Sequence, residues 1–292
     1  MRRHYNPMRF LLLVIALVAC SVPVFGQAAA IQPCEATPKA AKPGTNTPTK
    51  IGVRSGQTVI DASIPDDEAV EIMLAPYSGK VRALNVVIGQ LDGTLKKEPV
   101  GAGSLGQFVT DGLSTYARTK LGKPIALTIM NAGGLRKNEI AAGEVRATDI
   151  FELLPFENAL VAVEISGANL LKVLPAVVRD AQAGARIRYK WNDQDRAEFV
   201  SGKLLNEKGA EQEIDPDKIY TIVTIDYLLR LGGGSYAILQ EAKSATPLNI
   251  TLRDAMMEYV KSETAAGRKL SSRVDDRYVQ VGPGPKSVEM PR

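Results

Sequence analysis

Asn131-Ala-Gly-Gly-Leu-Arg136, followed one segment later by Leu153-Leu-Pro-Phe-Glu-Asn158, decides how this chain is read. The first run closes an apolar segment, Ile125 to Met130, with the length and composition of a buried strand. Gly133 and Gly134 then permit backbone angles closed to other residues and let a ligand approach the main chain closely. Arg136 follows as a planar, fork-shaped donor suited to a carboxylate or phosphate. The second run sets an aromatic, Phe156, and an amide, Asn158, at the entry to another apolar strand, Ala159 to Ile165. Amide, glycines, guanidinium and ring together describe a site for a flat, anionic ligand. Taken singly, each has a plainer reading. Gly-Gly after a strand is ordinarily a turn, an arginine beside it a solvated side chain, and a phenylalanine after proline part of a core. The functional reading rests on their order and spacing.

Around these runs the pattern mixes helices and strands. Asp66 to Leu84 carries Val70, Met73, Leu74, Tyr77 and Val81 at helical spacing. Asp66, Asp67 and Glu68 suit its N-terminus through the helix dipole, and Pro76 predicts a kink. Val86–Ile88 reads as a strand and Leu105–Leu121 as a helix. Ile165–Val178 reads as a helix opened by Ser166 and interrupted near Pro175. Ile219–Ile225 is a strand after the turn Asp215-Pro-Asp217, and Leu252–Ser262 is a late amphipathic helix. The charge runs Asn192–Arg196 and Asp275–Arg277 read as exposed loops. The tail, residues 282–292, is expected to be disordered, with Gly-Pro-Gly-Pro near its start.

The N-terminus reads as an export signal, a basic stretch leading into the apolar run Phe10 to Ala19. Two cuts are compatible with it. Leu17-Val-Ala-Cys20 is a lipobox, which would leave residues 1–19 as leader and Cys20 as a lipidated terminus. Val24-Phe-Gly26 offers an ordinary cleavage site, with residues 1–26 removed. Either way the chain is expected in a bacterial periplasm or cell envelope, touching membrane only through a lipid at Cys20. Residues 27–64 read as a linker and extended segment, rich in Ala, Pro, Thr and Lys between Ala28 and Thr49. Cys34 would have no partner there once Cys20 is lipidated or removed, so no structural disulfide is expected. Removing Arg2, Arg3 and Arg9 with the leader takes the formal charge from +4 to near +1, which argues against nucleic acid as a partner.

From about Pro65 to Val281 the chain resembles the C-terminal, substrate-recognition domain of the 5'-nucleotidase family. The likeness begins with Ser104-Leu-Gly-Gln-Phe-Val-Thr-Asp111-Gly. It runs through Asn131–Arg136, Thr148-Asp-Ile150, Leu153–Asn158 and Ser166-Gly-Ala-Asn-Leu170, and closes with Asp226-Tyr-Leu and Gly232-Gly-Gly-Ser-Tyr236. The resemblance implies an α+β fold of mixed β-sheets with flanking helices over residues 65–281. It implies that rings at Phe156 and Tyr227 clamp a purine or pyrimidine, with Asn131 and Asn158 at the base edge or sugar. Gly133 and Gly134 would border the ligand, and Arg136 would face its anionic or hydroxyl-rich part. Stacking on a ring is worth about 1–3 kcal/mol per base and hardly distinguishes one base from another. Without the resemblance, Tyr227 reads as an interior ring with its hydroxyl at the rim.

The chain also departs from the family's pattern. Where Gly-Gly-Asp-Gly is common it has Gly232-Gly-Gly234-Ser235, so the acid that holds ribose hydroxyls is replaced by Gly234. There is one additional residue between Tyr227 and the glycines. A basic residue often found before the first helix is replaced by Gly101, and Gly101-Ala-Gly103 lacks the lysine spacing of a phosphate-binding loop. Weaker nucleotide affinity is the expected result.

Complete members of the family hydrolyse phosphate esters in an N-terminal metallophosphatase domain with two metal ions. The residues before Pro65 read as leader and linker, and the only histidine is His4. That excludes Ser-His-Asp and Cys-His triads and imidazole zinc sites from the mature chain. Asp149, Glu152 and Glu157 cluster in sequence, yet their spacing suits a helix start and a solvated face. No catalytic or metal-binding residue is therefore assigned, and no cofactor is expected in this chain. Divalent metals belong to a separate metallophosphatase. The expectation is a nucleotide- or nucleoside-recognition domain acting with such a partner in nucleotide catabolism. Alternatives are a stand-alone nucleoside-binding protein of the envelope and an interaction module with a decayed pocket.

Overall fold

The computed structural model describes residues 59–61, 63–271 and 273–286. Expectations for the leader, Cys20, Cys34 and most of the linker fall outside them. The chain divides after Ile64 into two units, and the elements below belong to the second.

Helix α1 (Glu68–Ala83) starts where Asp67 accepts hydrogen bonds from the amides of Ala69 and Val70. Strands β1 (Val87–Leu91) and β2 (Leu95–Lys96) lead to helix α2 (Gly103–Leu121), then β3 (Leu127–Met130). A 3₁₀ turn over Ala132–Gly134 precedes β4 (Glu139–Ile140), β5 (Gly143–Arg146) and helix α3 (Ala147–Leu153). Strand β6 (Ala159–Ser166) ends in helix α4 (Gly167–Val173), capped by the Ser166 hydroxyl. At Pro175 the helix tightens into a 3₁₀ turn, Leu174–Val178. Strands β7 (Ala181–Ala183), β8 (Ala185–Trp191), β9 (Ala197–Leu205), β10 (Glu211–Gln212) and β11 (Ile219–Ile225) follow. Helix α5 (Asp226–Leu231), a 3₁₀ stretch Gly234–Glu241, β12 (Ser244–Thr251), helix α6 (Leu252–Ala265) and β13 (Tyr278–Gln280) complete the order.

The main sheet has five strands in the order β12-β6-β11-β3-β7. β11 runs parallel to β3, with Ile222 opposite Leu127 and Val223 opposite Thr128. β6 runs antiparallel to β11 from Ile219↔Ser166 to Ile225↔Leu160. The apolar runs of β3 and β6 suit strands enclosed on both faces, and α2 packs on β7, β3 and α6 to cover one of them. A second sheet, β10-β9-β8-β13, is mixed because β13 lies parallel to β8. The fold is thus an α+β arrangement of mixed sheets and flanking helices.

One sequence expectation fails in part here. Asp275 and Asp276 are exposed as the charge run suggests, but Arg277 is only 7% exposed and is held by carboxylates. Its Nη1 and Nη2 donate to the two oxygens of Asp111 on α2, both at 2.9 Å. Nε and Nη2 donate to Asp275 at 2.7 Å, and Nη1 also donates to the Gln182 carbonyl. The run is charged because it supplies a buried arginine and one of its acids. Burial pushes the Asp111 carboxyl up despite the ion pair, whereas Arg277 outweighs burial at Asp275 and holds that carboxyl low. The Lys286 amide donates to Asp195 and its ammonium to Asp193, each at 2.7 Å.

Removing one partner of a buried ion pair typically costs ~3–5 kcal/mol. Asp111 and Asp275 keep about half of their side-chain surface in water and can rehydrate. Arg277→Ala is therefore expected to lower unfolding free energy by about 2–3 kcal/mol in a urea titration. A loss below about 0.5 kcal/mol would show that the cluster does not anchor β13 to α2.

Candidate functional site

Strand direction brings the sequence motifs together. β3 and β11 run the same way, so their C-terminal ends, Asn131 and Asp226-Tyr227, emerge at one edge of the sheet. β6 runs the opposite way, so its entry, Phe156 to Asn158, arrives at that edge too. There Asn131, Gly133, Gly134, Phe156, Asn158 and Tyr227 line a cavity of about 310 Å³. Six of the seven candidate residues share this wall.

Neither ring is core. Phe156 is 45% and Tyr227 46% exposed, though both are large and lie beside a packed sheet. The interior reading of Tyr227 is corrected: its place on the first turn of α5 turns the ring outward. On the same wall, the Asn131 side-chain oxygen is buried and has no hydrogen-bond partner among the described residues. Buried polar atoms are rarely left so, and an orphaned acceptor on a residue that lines a cavity asks for a donor.

Arg136, the seventh candidate, does not line the cavity. It lies exposed at the rim, its guanidinium carbon 5.9 Å from the Phe156 ring centre, a cation–π contact. Its Nη1 makes a long bond of 3.4 Å to the Gly133 carbonyl. The two glycines also serve differently from expectation, since neither has a positive φ. A Cβ on Gly134 would displace the terminal methyl of Met130, the far end of a flexible side chain, and Gly133 faces open space near Asn131.

Several residues that the sequence did not single out hold this wall. Asp180 accepts from the Ala132 amide at 2.8 Å and from the Tyr236 hydroxyl at 2.8 Å, tying the glycine turn to the 234–241 segment. Burial, together with the Asp180 charge, pushes the Tyr236 hydroxyl far up, so it remains a donor. Asp226 accepts from the Ala159 amide at 3.1 Å, joining the entry of β6 to the segment that carries Tyr227. The Arg136 amide donates to the Leu153 carbonyl, linking the two motifs directly. Arg253, buried on α6, lies 4.1 Å over the Phe151 ring, donates to the Pro155 carbonyl and pairs with Glu157. It thereby fixes the loop that presents Phe156.

Two of the departures from the family pattern can be placed in the structure. The Tyr278 ring fills the space a side chain at residue 101 would enter, and Gly101 has φ +59°. Gly234 belongs to a separate shallow cavity with Lys172, Ser235 and Glu241, away from the aromatic pair. The clustered acids are engaged elsewhere. Lys137 donates to Asp149 at 3.1 Å and to Glu152 at 2.8 Å, and these acids raise its pKa against the opposing effect of burial. Among the described residues no group of three or more His, Cys, Asp or Glu side chains is placed to hold a metal ion. The described residues therefore offer no donor set for the two-metal centre that the resemblance implies for complete enzymes.

The model for the 5'-nucleotidase C-terminal domain matches residues 83–241, more than half of the chain. The chain belongs to that family. It is 30% identical over 189 residues to the NAD 5'-nucleotidase of Haemophilus influenzae, covering 57% of this chain and 31% of that protein. A trifunctional nucleotide phosphoesterase of Bacillus subtilis matches at 24% over 200 residues, 65% of this chain and 13% of that one. A 5'-nucleotidase precursor from Thermus thermophilus shares the fold with a TM-score of 0.62 at 23% identity, covering 75% of this chain and 44% of its own. This 5'-nucleotidase C-terminal domain chain thus spans less than half the length of each of these proteins.

Hydrogen bonds to charged groups contribute roughly 1.5–3 kcal/mol each. Arg253→Met keeps the apolar stem and removes the bonds to Pro155 and Glu157, so amide exchange over residues 154–157 should accelerate at least about tenfold. Unchanged exchange in that loop would mean that Phe156 is positioned by other contacts.

Proposed function

We propose that this domain recognises a nucleotide or nucleoside at the sheet edge, with the base between Phe156 and Tyr227. The observation that carries the reading is two half-exposed rings on one cavity beside the buried, unpartnered oxygen of Asn131. A base offers π-faces to the rings and, through an exocyclic amine or ring N–H, a donor for that oxygen. Asn158 contributes a second amide to the base edge or the sugar. Arg136, without a carboxylate partner among the described residues, sits at the rim where a charged phosphate would leave the cavity. The wall of two rings and two amides reads the base loosely, so broad base tolerance follows.

Hydrolysis, in this reading, belongs to a metallophosphatase unit outside this sequence, and domain closure would bring the bound phosphate to its metals. The chain's contribution is to bind and orient. The apolar leader, Phe10 to Ala19, supports action outside the cytoplasm, in a bacterial envelope. Among the described residues no helix is long and apolar enough to cross a membrane.

Calorimetric titration with adenosine, AMP and uridine tests the clamp. All three should bind, and Phe156→Ala and Tyr227→Ala should each weaken binding by roughly five- to 150-fold, the equivalent of ~1–3 kcal/mol. Arg136→Ala should weaken AMP more than adenosine. A Phe156→Ala variant that binds as tightly as the unmodified chain would remove the base from between these rings.

A further inference from the structure

The main sheet has a second open edge. The C-terminal ends of β3 and β11 carry Asn131 and Tyr227, and their N-terminal ends open into a different cavity, of about 500 Å³. β11 is seven residues long, which at about 3.3 Å per residue puts roughly 20 Å between the two sites. The end of α2, the loop after it and the hairpin that joins β9 to β10 close the other sides. The volume is that of a small-molecule site, and the nucleotide reading makes no use of it. Floor and rim differ in chemistry. Ile125, Leu204 and Tyr220, none more than 9% exposed, form an apolar floor. The rim is cationic, with Arg118, Lys123 and Lys218 set against a single carboxylate, Glu207. These three cations come from separate parts of the chain, so the fold gathers them and no charge run explains them.

Lys123 pairs with Glu164 at 3.3 Å and keeps further N–H donors to spare. Arg118 and Lys218 have no ion-pair partner among the described residues. Asp111, whose charge Arg118 feels, is held through both oxygens by Arg277. Asp215, close before Lys218, accepts instead from the Asp217 amide. The Lys218 ammonium lies 5.4 Å over the Tyr220 ring, whose hydroxyl accepts from the Asp215 amide at 3.0 Å. Ring and cation therefore meet where floor gives way to rim. In the hairpin, the Asn206 side-chain oxygen accepts from the Lys208 and Ala210 amides, which leaves its N–H groups as neutral donors on the rim. A neutral apolar ligand would cover the floor but strip water from the cations without replacing it, a net cost. Bare phosphate would satisfy the cations and leave the floor unused. An anion with an apolar body uses both. We propose that this cavity is a second ligand site, for a small organic anion. Its apolar body lies on Ile125, Leu204 and Tyr220, and its charged group is held among Arg118, Lys123 and Lys218.

Three probes separate these components, read by amide chemical-shift changes in the full chain at neutral pH. Naphthalenesulfonate carries rings and charge, naphthol the rings alone, and inorganic phosphate the charge alone. The expected result is saturable shifts at Ile125, Leu205, Ile219 and Thr221 with the sulfonate, at least about tenfold tighter than with either other probe. Arg118→Ala/Lys218→Ala should weaken sulfonate binding about fivefold or more. The melting temperature should not move, because both side chains are exposed. Phe156→Ala should leave these shifts as they are, since its ring lines the other cavity. Naphthol binding as tightly as the sulfonate would reduce the site to an apolar cleft and overturn the proposal. Phosphate binding as tightly would reduce it to a patch for adventitious ions, with the same result. Sulfonate shifts confined to other residues, none at millimolar sulfonate, or an affinity indifferent to the double variant would each overturn it as well.

Discussion

The parallel pairing of β3 with β11 is the constraint on which the candidate site depends. Register and direction of these two central strands decide where Asn131 and Tyr227 emerge, and antiparallel β6 adds Phe156 and Asn158 at the same edge. A slip of one residue in either ladder would turn the alternating side chains to the other face and separate the rings. Such a slip is costly here, because Leu127, Ile129, Ile222 and Val223 are all fully enclosed. The core therefore enforces the geometry of a solvent-facing wall that contributes little to stability itself.

Polar contacts then hold the loops that leave the sheet. Asp180, Asp226 and Arg253 each bridge segments far apart in sequence, and each bonds main-chain groups of the segments that carry a candidate residue. Main-chain anchors restrict the loop without using the side chains that face the cavity, which stay free for a ligand. Arg277 does the equivalent for the back of the domain, where it joins α2 to the segment leading into β13. Tyr278 in that strand fills the space beside Gly101. That ring gives a steric reason why this chain has no arginine there, independent of what it binds.

Much of this was legible in the sequence where information is local. The helix at Glu68–Ala83, the strand at Ile219–Ile225 and the break at Pro175 follow from apolar spacing, capping and the missing proline amide. That six of the seven candidate residues would meet on one cavity wall was legible through family resemblance, because their motifs retain order and type. What was not legible depends on distant partners. Asp275–Arg277 looks like a solvated charge run until Asp111, from a helix far earlier in the chain, meets the guanidinium. Arg253 looks like an ordinary helix surface cation, and Asp180 like a turn acid. Only the folded arrangement shows them bonding Pro155 and Ala132. Arg136 reads from its type as a donor to an anionic part of a ligand, and the structure sets its guanidinium beside the Phe156 ring, outside the cavity lining.

The central claim is that the sheet edge holds a base between two rings. A crystal structure of the chain grown with saturating AMP tests it most directly. The account predicts the base between Phe156 and Tyr227, a base N–H donating to the Asn131 oxygen, and the phosphate toward Arg136. AMP bound with its base at any other surface, or a cavity still without nucleotide at saturating concentration, would contradict it.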